Sequence, residues 1–227
     1  MNRLTCCAIT AVVVALFPAS PAMAQRAISL VPPDSPRWDV AGSAGWLGQT
    51  RTRSNGPFVD DIWLNAGAVA GSIGFQWAPH LKLTGDIATS SNGRFYTYEP
   101  VTVPGRPAPI YRSLEHGVRT TAASGSVAYQ FFDNRWVHPF VAAGVEIAQE
   151  HDRIESILQP ILGPDGRADV PIPSIETRTT TAVRPTLGGG FKFYVAERAF
   201  VSTDVRFSFD RSGLVSSSWR SGVGFDF

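Results

Sequence analysis

From residue 37 onward, apolar and polar positions alternate by twos in runs broken by short polar segments, and the alternation continues to the final Phe227. A period of two marks an extended strand with two unlike faces. The runs predict eight strands, over 37–48, 61–77, 81–97, 116–132, 137–150, 179–195, 199–211 and 216–227. In the seventh, Val201, Thr203, Val205, Phe207 and Phe209 alternate with Ser202, Asp204, Arg206, Ser208 and Asp210. In the fifth, Val137, Pro139, Val141, Ala143, Val145 and Ile147 alternate with His138, Phe140, Ala142, Gly144, Glu146 and Ala148. Across all eight, the greasier parity carries one charge away from the strand ends, Arg119 (Asp61 and Arg211 are terminal), whereas the other parity is small or charged nearly everywhere. The connections after the second, fourth and sixth strands (APH, DNRW, AER) are short. Those after the first, third and fifth are long, the longest covering 151–178.

Strands of ten or more residues, even in number and joined alternately by short turns and long loops, predict an all-β fold. It is an eight-stranded antiparallel up-and-down transmembrane barrel with both ends on the short-turn side. A soluble barrel would turn its apolar face inward and need a solvated outside. Here the polar parity is Gly, Ala and Ser with isolated charges, which suits a narrow packed lumen, so the apolar parity is expected to face lipid. Aromatics cluster at the strand ends. Trp38, Trp77, Phe131, Phe193 and Phe227 mark the short-turn side, and Trp46, Trp63, Phe209 and Trp219 mark the other. Two aromatic girdles around an aliphatic band is the membrane-barrel pattern. Lipid offers no partner to an open sheet edge, so the sheet is expected to close.

Composition agrees: 17% charged residues, 21 Gly, 17 Pro and abundant aromatics (14 Phe, 6 Trp, 5 Tyr) suit short turns and strands. A net charge of +1 gives no sign of a nucleic-acid partner. The N-terminus reads as a cleavable signal peptide, residues 1–24. Asn2 and Arg3 are followed by the apolar run Leu4 to Phe17, and Ala22 and Ala24 place cleavage after Ala24. A polar lead (25–36) then precedes the barrel (37–227). Cys6 and Cys7 sit before the apolar run is complete, which disfavours a lipoprotein site and leaves the mature chain without thiols. No later stretch is apolar enough for a membrane helix.

On the last strand Trp219, Val223, Phe225 and Phe227 share one face. A terminal Phe with apolar residues at alternate preceding positions (Val223, Phe225, Phe227) resembles the assembly signal of Gram-negative outer-membrane proteins. The mature chain as a whole resembles the small eight-stranded outer-membrane β-barrel family, of the OmpA transmembrane-domain and opacity-protein type. The resemblance implies a monomer in the outer membrane of a Gram-negative cell, delivered by the barrel-assembly machinery and surrounded by lipid and lipopolysaccharide. The periplasmic peptidoglycan-binding domain of larger relatives is not expected.

Inward-parity charges are Asp39, Lys82, Asp86, Glu146, Arg184, Lys192, Asp204, Arg206, Asp210, Arg220 and Asp226. Counted up from the short turns, Asp39, Asp226, Lys82 and Lys192 lie low. Asp86, Asp204, Arg206 and Arg220 lie midway, and Glu146, Arg184 and Asp210 lie high. An uncompensated charge in so narrow an interior costs several kcal/mol. Asp86, Glu146, Arg184, Asp204, Arg206 and Arg220 are therefore expected to form a lumen network that plugs the barrel, rather than a pore lined by selectivity charges. Gly188, Gly189 and Gly190 suit close packing within the sixth strand.

Four histidines, His80, His116, His138 and His151, are the candidates for chemistry. His116 and His151 flank the outer rim near Ser113, Glu115 and Asp152, which hints at a lipid-hydrolysing or metal site. Their opposite parities make them diverge, and they read as solvated rim residues. No phosphate loop or spaced metal-ligand cluster occurs. No catalytic residue, cofactor or metal is expected. The Pro-rich loop 98–115 and the apolar loop residues Ile154, Ile157, Leu158, Ile161, Leu162, Val170, Ile172 and Ile175 are expected to pack as a cap or to extend their strands above the membrane. Contact with a partner surface, lipopolysaccharide or a hydrophobic small molecule is the alternative. The expected role is envelope structure or surface interaction, with a narrow solute pore and a lipid-modifying enzyme as the alternatives.

Overall fold

The computed structural model describes residues 38–55, 58–101, 110–132, 136–157, 161–162, 168–169 and 175–227. The expected signal peptide, the lead and the tips of the long loops lie outside the described residues. The strands are β1 (Trp38–Asn55), β2 (Phe58–Ala78), β3 (Leu81–Ser90), β4 (Gly93–Val101), β5 (Ile110–Gln130) and β6 (Val137–Ile157). They continue with the short β7 (Ile161–Leu162) and β8 (Ala168–Asp169), which pair with each other, then β9 (Ile175–Tyr194), β10 (Ala199–Asp210) and β11 (Gly213–Asp226).

Eight antiparallel strands close a ring in the order β1, β2, β3, β5, β6, β9, β10, β11 and back to β1. The closing ladder runs from Asp39 opposite Asp226 to Gln49 opposite Ser216. It is finished by Trp38 N–H donating to the Phe227 carbonyl (3.1 Å) and Phe227 N–H donating to the Trp38 carbonyl (2.8 Å). The barrel is inside-out relative to a soluble one. Val141, Val145, Ile147, Ile87 and Val183 are exposed on the outer face, while Asp39, Asp86, Glu150, Lys192, Arg220 and Asp226 are buried within. Arg119 is exposed, as its parity demands.

The structure departs from the periodicity in two ways. First, β1, β2, β5, β6 and β9 run past the expected ends into the long-loop side. Tyr98–Val101, Ile110–Glu115, Ile154, Ile157 and Ile175 are therefore strand, so these segments extend their strands rather than form loops. Strands of 18 to 21 residues are about twice what a membrane crossing needs. Second, the expected strand 81–97 breaks at Ser91–Asn92. Ser91 N–H donates to the Gly67 carbonyl (2.7 Å) and Gly67 N–H to Ser91 Oγ (3.0 Å), which ends the β2–β3 ladder. Beyond the break β4 keeps β5, and meets β1 through one parallel bridge between Asn55 and Tyr98. Gly93 lies so close to the Leu64 side chain that a Cβ there would collide with it. An apolar cluster of Leu64, Phe95, Val118 and Ile62 fills the barrel beside the break.

Candidate functional site

Alternation fixes which side chains enter the lumen, and strand register sets their height. Lowest, Asp39 of β1 receives Lys82 of β3 and Lys192 of β9 (3.3 Å), and Lys192 also reaches Asp226 of β11 (2.7 Å). The Tyr194 hydroxyl donates to Asp226, and Lys192 Nζ sits 3.8 Å from the Phe200 ring centroid. Gly74 makes this tier possible, because the Lys82 chain occupies the space a Cβ would take.

Midway, two carboxylates and two guanidinium groups form a closed cycle. Arg220 donates from Nη1 to Asp86 Oδ1 (2.9 Å) and from Nη2 to Asp204 Oδ2 (2.9 Å). Arg206 donates from Nε to Asp204 (3.1 Å) and from Nη1 to Asp86, to which Ser124 also donates. Asp204 and Arg220 are register partners on β10 and β11, while Asp86 and Ser124 come from β3 and β5 across the barrel. Gly188 and Gly190 face Arg206 and Asp204 in register, and a Cβ on either would strike the β10 backbone.

Arg184 and Glu146 stand apart from this cycle. They are register partners, yet the Arg184 guanidinium reaches up β6 to Glu150 (2.8 Å), which Arg51 of β1 also binds (2.8 Å). Gln49 accepts from Arg51 (2.9 Å) and Thr120 (3.1 Å) in the same tier. Glu146 instead accepts from Ser208 (3.3 Å). Asp210, expected high in the lumen, is exposed and holds the β10–β11 turn through Ser212. Two voids, of about 70 and 40 Å³, lie along the lumen, and Arg206 and Arg220 line both, so the cycle stands between them. Each has room for one or two waters (about 30 Å³ apiece in the liquid).

Above the upper tier, a cavity of about 440 Å³ occupies the long-loop mouth. Its wall is built by register. Leu114 of β5 stands between Thr97 of β4 and Ser156 of β6, and His116 stands between Phe95 and Ile154, with Glu176 beyond on β9. His116 is therefore no solvated rim residue. Its side chain is 12% exposed, Nδ1 lies 3.0 Å from Asp152, Nε2 lies 2.9 Å from Thr97 Oγ1, and Phe95 stacks on the ring. The chain of hydroxyl, imidazole and carboxylate holds the ring in one orientation. His151, on the opposite parity, is exposed and meets Thr179 (2.8 Å). Arg112 pairs with Glu99 (2.9 Å), but its Nε, like Ser156 Oγ, is shielded without a partner. Such a group costs about 1–3 kcal/mol.

Among the described residues no three metal-ligating side chains cluster. Of the expected girdle aromatics, Trp38, Trp46, Trp63, Trp77, Phe131, Phe193 and Trp219 are exposed and Phe209 is half-buried. Trp46 and Trp219 are cross-strand partners whose rings lie 4.6 Å apart. Val223, Phe225 and Phe227 are exposed on one face of the closing strand. The sequence analysis did not single out Arg51, Gln49, Thr97, Thr120 and Glu150, all but Thr120 beyond or at the ends of the expected strands. Continuing the inward parity of β6 from Glu146 through Ala148 would have found Glu150.

No protein-family model matches the chain, and no curated protein matches it by sequence. Solved structures match it in shape. Neisserial surface protein A is 13% identical, over 84% of this chain and 97% of its own, with a TM-score of 0.50. The N-terminal β-barrel domain of OprF from Pseudomonas aeruginosa is 16% identical, over 85% and 99%, at 0.45. The attachment invasion locus protein Ail of Yersinia pestis is 12% identical, over 84% and 99%, at 0.46. With eight antiparallel strands in a closed ring, an apolar exterior and a charged lumen, the chain has the fold of a small outer-membrane β-barrel.

Proposed function

We propose that this chain is a non-catalytic barrel of the Gram-negative outer membrane, with its long loops outward, that serves envelope structure or surface interaction. It sits as a monomer among lipid and lipopolysaccharide, and Val223, Phe225 and Phe227 present the closing strand to the barrel-assembly machinery. Its lumen is a plug. The observation that supports this is the Asp86–Arg220–Asp204–Arg206 cycle standing between two water-sized voids. Each cation meets both carboxylates, so the cycle leaves no unpaired charge at its own height to line a path for a passing ion, and opening one would break several buried ion pairs together.

Planar-bilayer recording on refolded protein tests it. The wild type is expected to be electrically silent. The paired change Asp86→Ala with Arg220→Ala should produce a small leak by joining the two voids. Steady conductance from the wild type would reject the plug in favour of a narrow pore.

A further inference from the structure

On the outer face, registered rows across β3, β4, β5, β6 and β9 put the groups nearest the long loops in a fixed order. The last aliphatic row is Ile87, Ala123, Ile147 and Val183, and its three large side chains are each more than half exposed. One row up stand Thr89, Thr121, Gln149 and Thr181, all neutral. Arg119, His151 and Thr179 come next, and above them Arg94, Gly117, Arg153 and Thr177. The acids, Glu115 and Glu155, lie one row farther still from the aliphatic band.

This order turns the cations toward the lipid and the anions away from it. Arg94 pairs with Glu115 (3.3 Å) and Arg153 with Glu155 (2.7 Å), yet the two arginine side chains stay 70% and 60% exposed. Arg119 is exposed and meets no carboxylate among the described residues. Its Nη2 turns down to Thr89 Oγ1 (3.4 Å). That sets the guanidinium one row above the aliphatic band, about 5 Å of height for a strand tilted by about 45°. The headgroup layer of a bilayer is about 5–8 Å deep on each side, so Arg119 stands inside it. Between Arg94 and Arg153, Gly117 presents no side chain, and a Cβ there would meet nothing nearer than the Arg153 carbonyl at 3.7 Å. Three guanidinium groups therefore frame an open gap directly above an apolar wall.

We propose that this patch binds a phosphate monoester on the lipid anchor of lipopolysaccharide. Arg119 meets it from below, Arg94 and Arg153 flank it across the Gly117 gap, and acyl chains lie along Ile87, Ile147 and Val183. A phosphate monoester brings a charge of about −1.5 to −2 and three acceptor oxygens. Guanidinium forks match those oxygens in pairs. A phosphodiester headgroup, with one charge and two free oxygens, satisfies fewer of the three arginines. The site rests on the orientation proposed above, long loops outward, which puts this face in the leaflet that holds lipopolysaccharide.

The test is lipid retention by the full chain, refolded in an uncharged polyoxyethylene detergent and read by native mass spectrometry. The probes are lipid A, its dephosphorylated form and phosphatidylglycerol. Lipid A is expected to be held at least tenfold more tightly than either of the others. Arg119→Gln should weaken it at least fivefold, and Gly117→Glu, which fills the gap with a carboxylate, should abolish the preference for phosphate. Arg211→Gln, at an exposed arginine of the β10–β11 turn, should change nothing. Equal retention of dephosphorylated lipid A, equal retention of phosphatidylglycerol, or equal effects of the Arg119 and Arg211 changes overturns the proposal. The same protein is scored for insertion into phosphatidylcholine vesicles by heat-modifiable migration. A barrel that inserts but fails the lipid comparisons removes the site alone, whereas one that does not insert removes the membrane reading and the site together.

Discussion

At the residue scale, the mid-lumen cycle makes Asp204 worth more than one ion pair. It accepts from Arg206 and from Arg220, leaving Asp86 as their other carboxylate. Asp204→Ala should therefore cost about 3 kcal/mol, because it strands two buried cations on one anion. The double variant Asp204→Ala with Arg206→Ala should cost less than the sum of the two single changes, since coupled partners are not additive. Urea refolding titrations complete the cycle, and strict additivity would mean that these groups are separately solvated. Parity alone placed these four charges at one height. The same count set Arg184 high, level with Glu146, but its long side chain passes Glu146 and reaches Glu150. A flexible side chain chooses among partners by three-dimensional distance, which sequence spacing does not encode.

At the element scale, β10 shows how sharply two faces of a strand can differ. Val205, Phe207 and Val201 are exposed on one side, and Ser208 is 4% exposed on the other. Val205→Arg would set a cation in lipid near mid-depth and should destabilise the barrel by about 2–4 kcal/mol. Val205→Leu at the same position should be close to neutral. Equal losses for the two in a refolding titration would mean that this face does not meet lipid. The break between β3 and β4 belongs to the same scale and was not legible. Ser91, Asn92 and Gly93 keep the alternation going, and only the meeting of Ser91 with Gly67, and of Gly93 with Leu64, shows that the ladder ends there. The extra length of β5, β6 and β9 was hidden for a related reason. Above the girdles both faces are polar or mixed, so periodicity fades although the ladder continues.

At the scale of the whole molecule, the ladder that closes the ring ends at Phe227. Phe227 exchanges two backbone hydrogen bonds with Trp38, and its ring is 54% exposed on the outer face. We expect deletion of Phe227 to remove the heat-modifiable barrel from outer-membrane fractions, since it takes away both the final rung between β11 and β1 and the aromatic end of the proposed assembly signal. Normal accumulation of the deleted protein would show that closure and delivery rest on Val223 and Phe225 alone.

The sequence by itself determined the eight strands of the ring, the antiparallel up-and-down order, the apolar exterior and the common height of Asp86, Asp204, Arg206 and Arg220. All of these follow from a period of two and a tally of residues along each strand, both of which are local properties. Tertiary structure decided which charges share a partner, where β4 parts from β2, and that Thr97, His116, Ser156 and Arg112 line one cavity, with Asp152 held against His116. Those residues come from three strands, and their neighbourhood is set by the stagger between strands. A shift of two residues in that stagger would keep every face intact and change every partner.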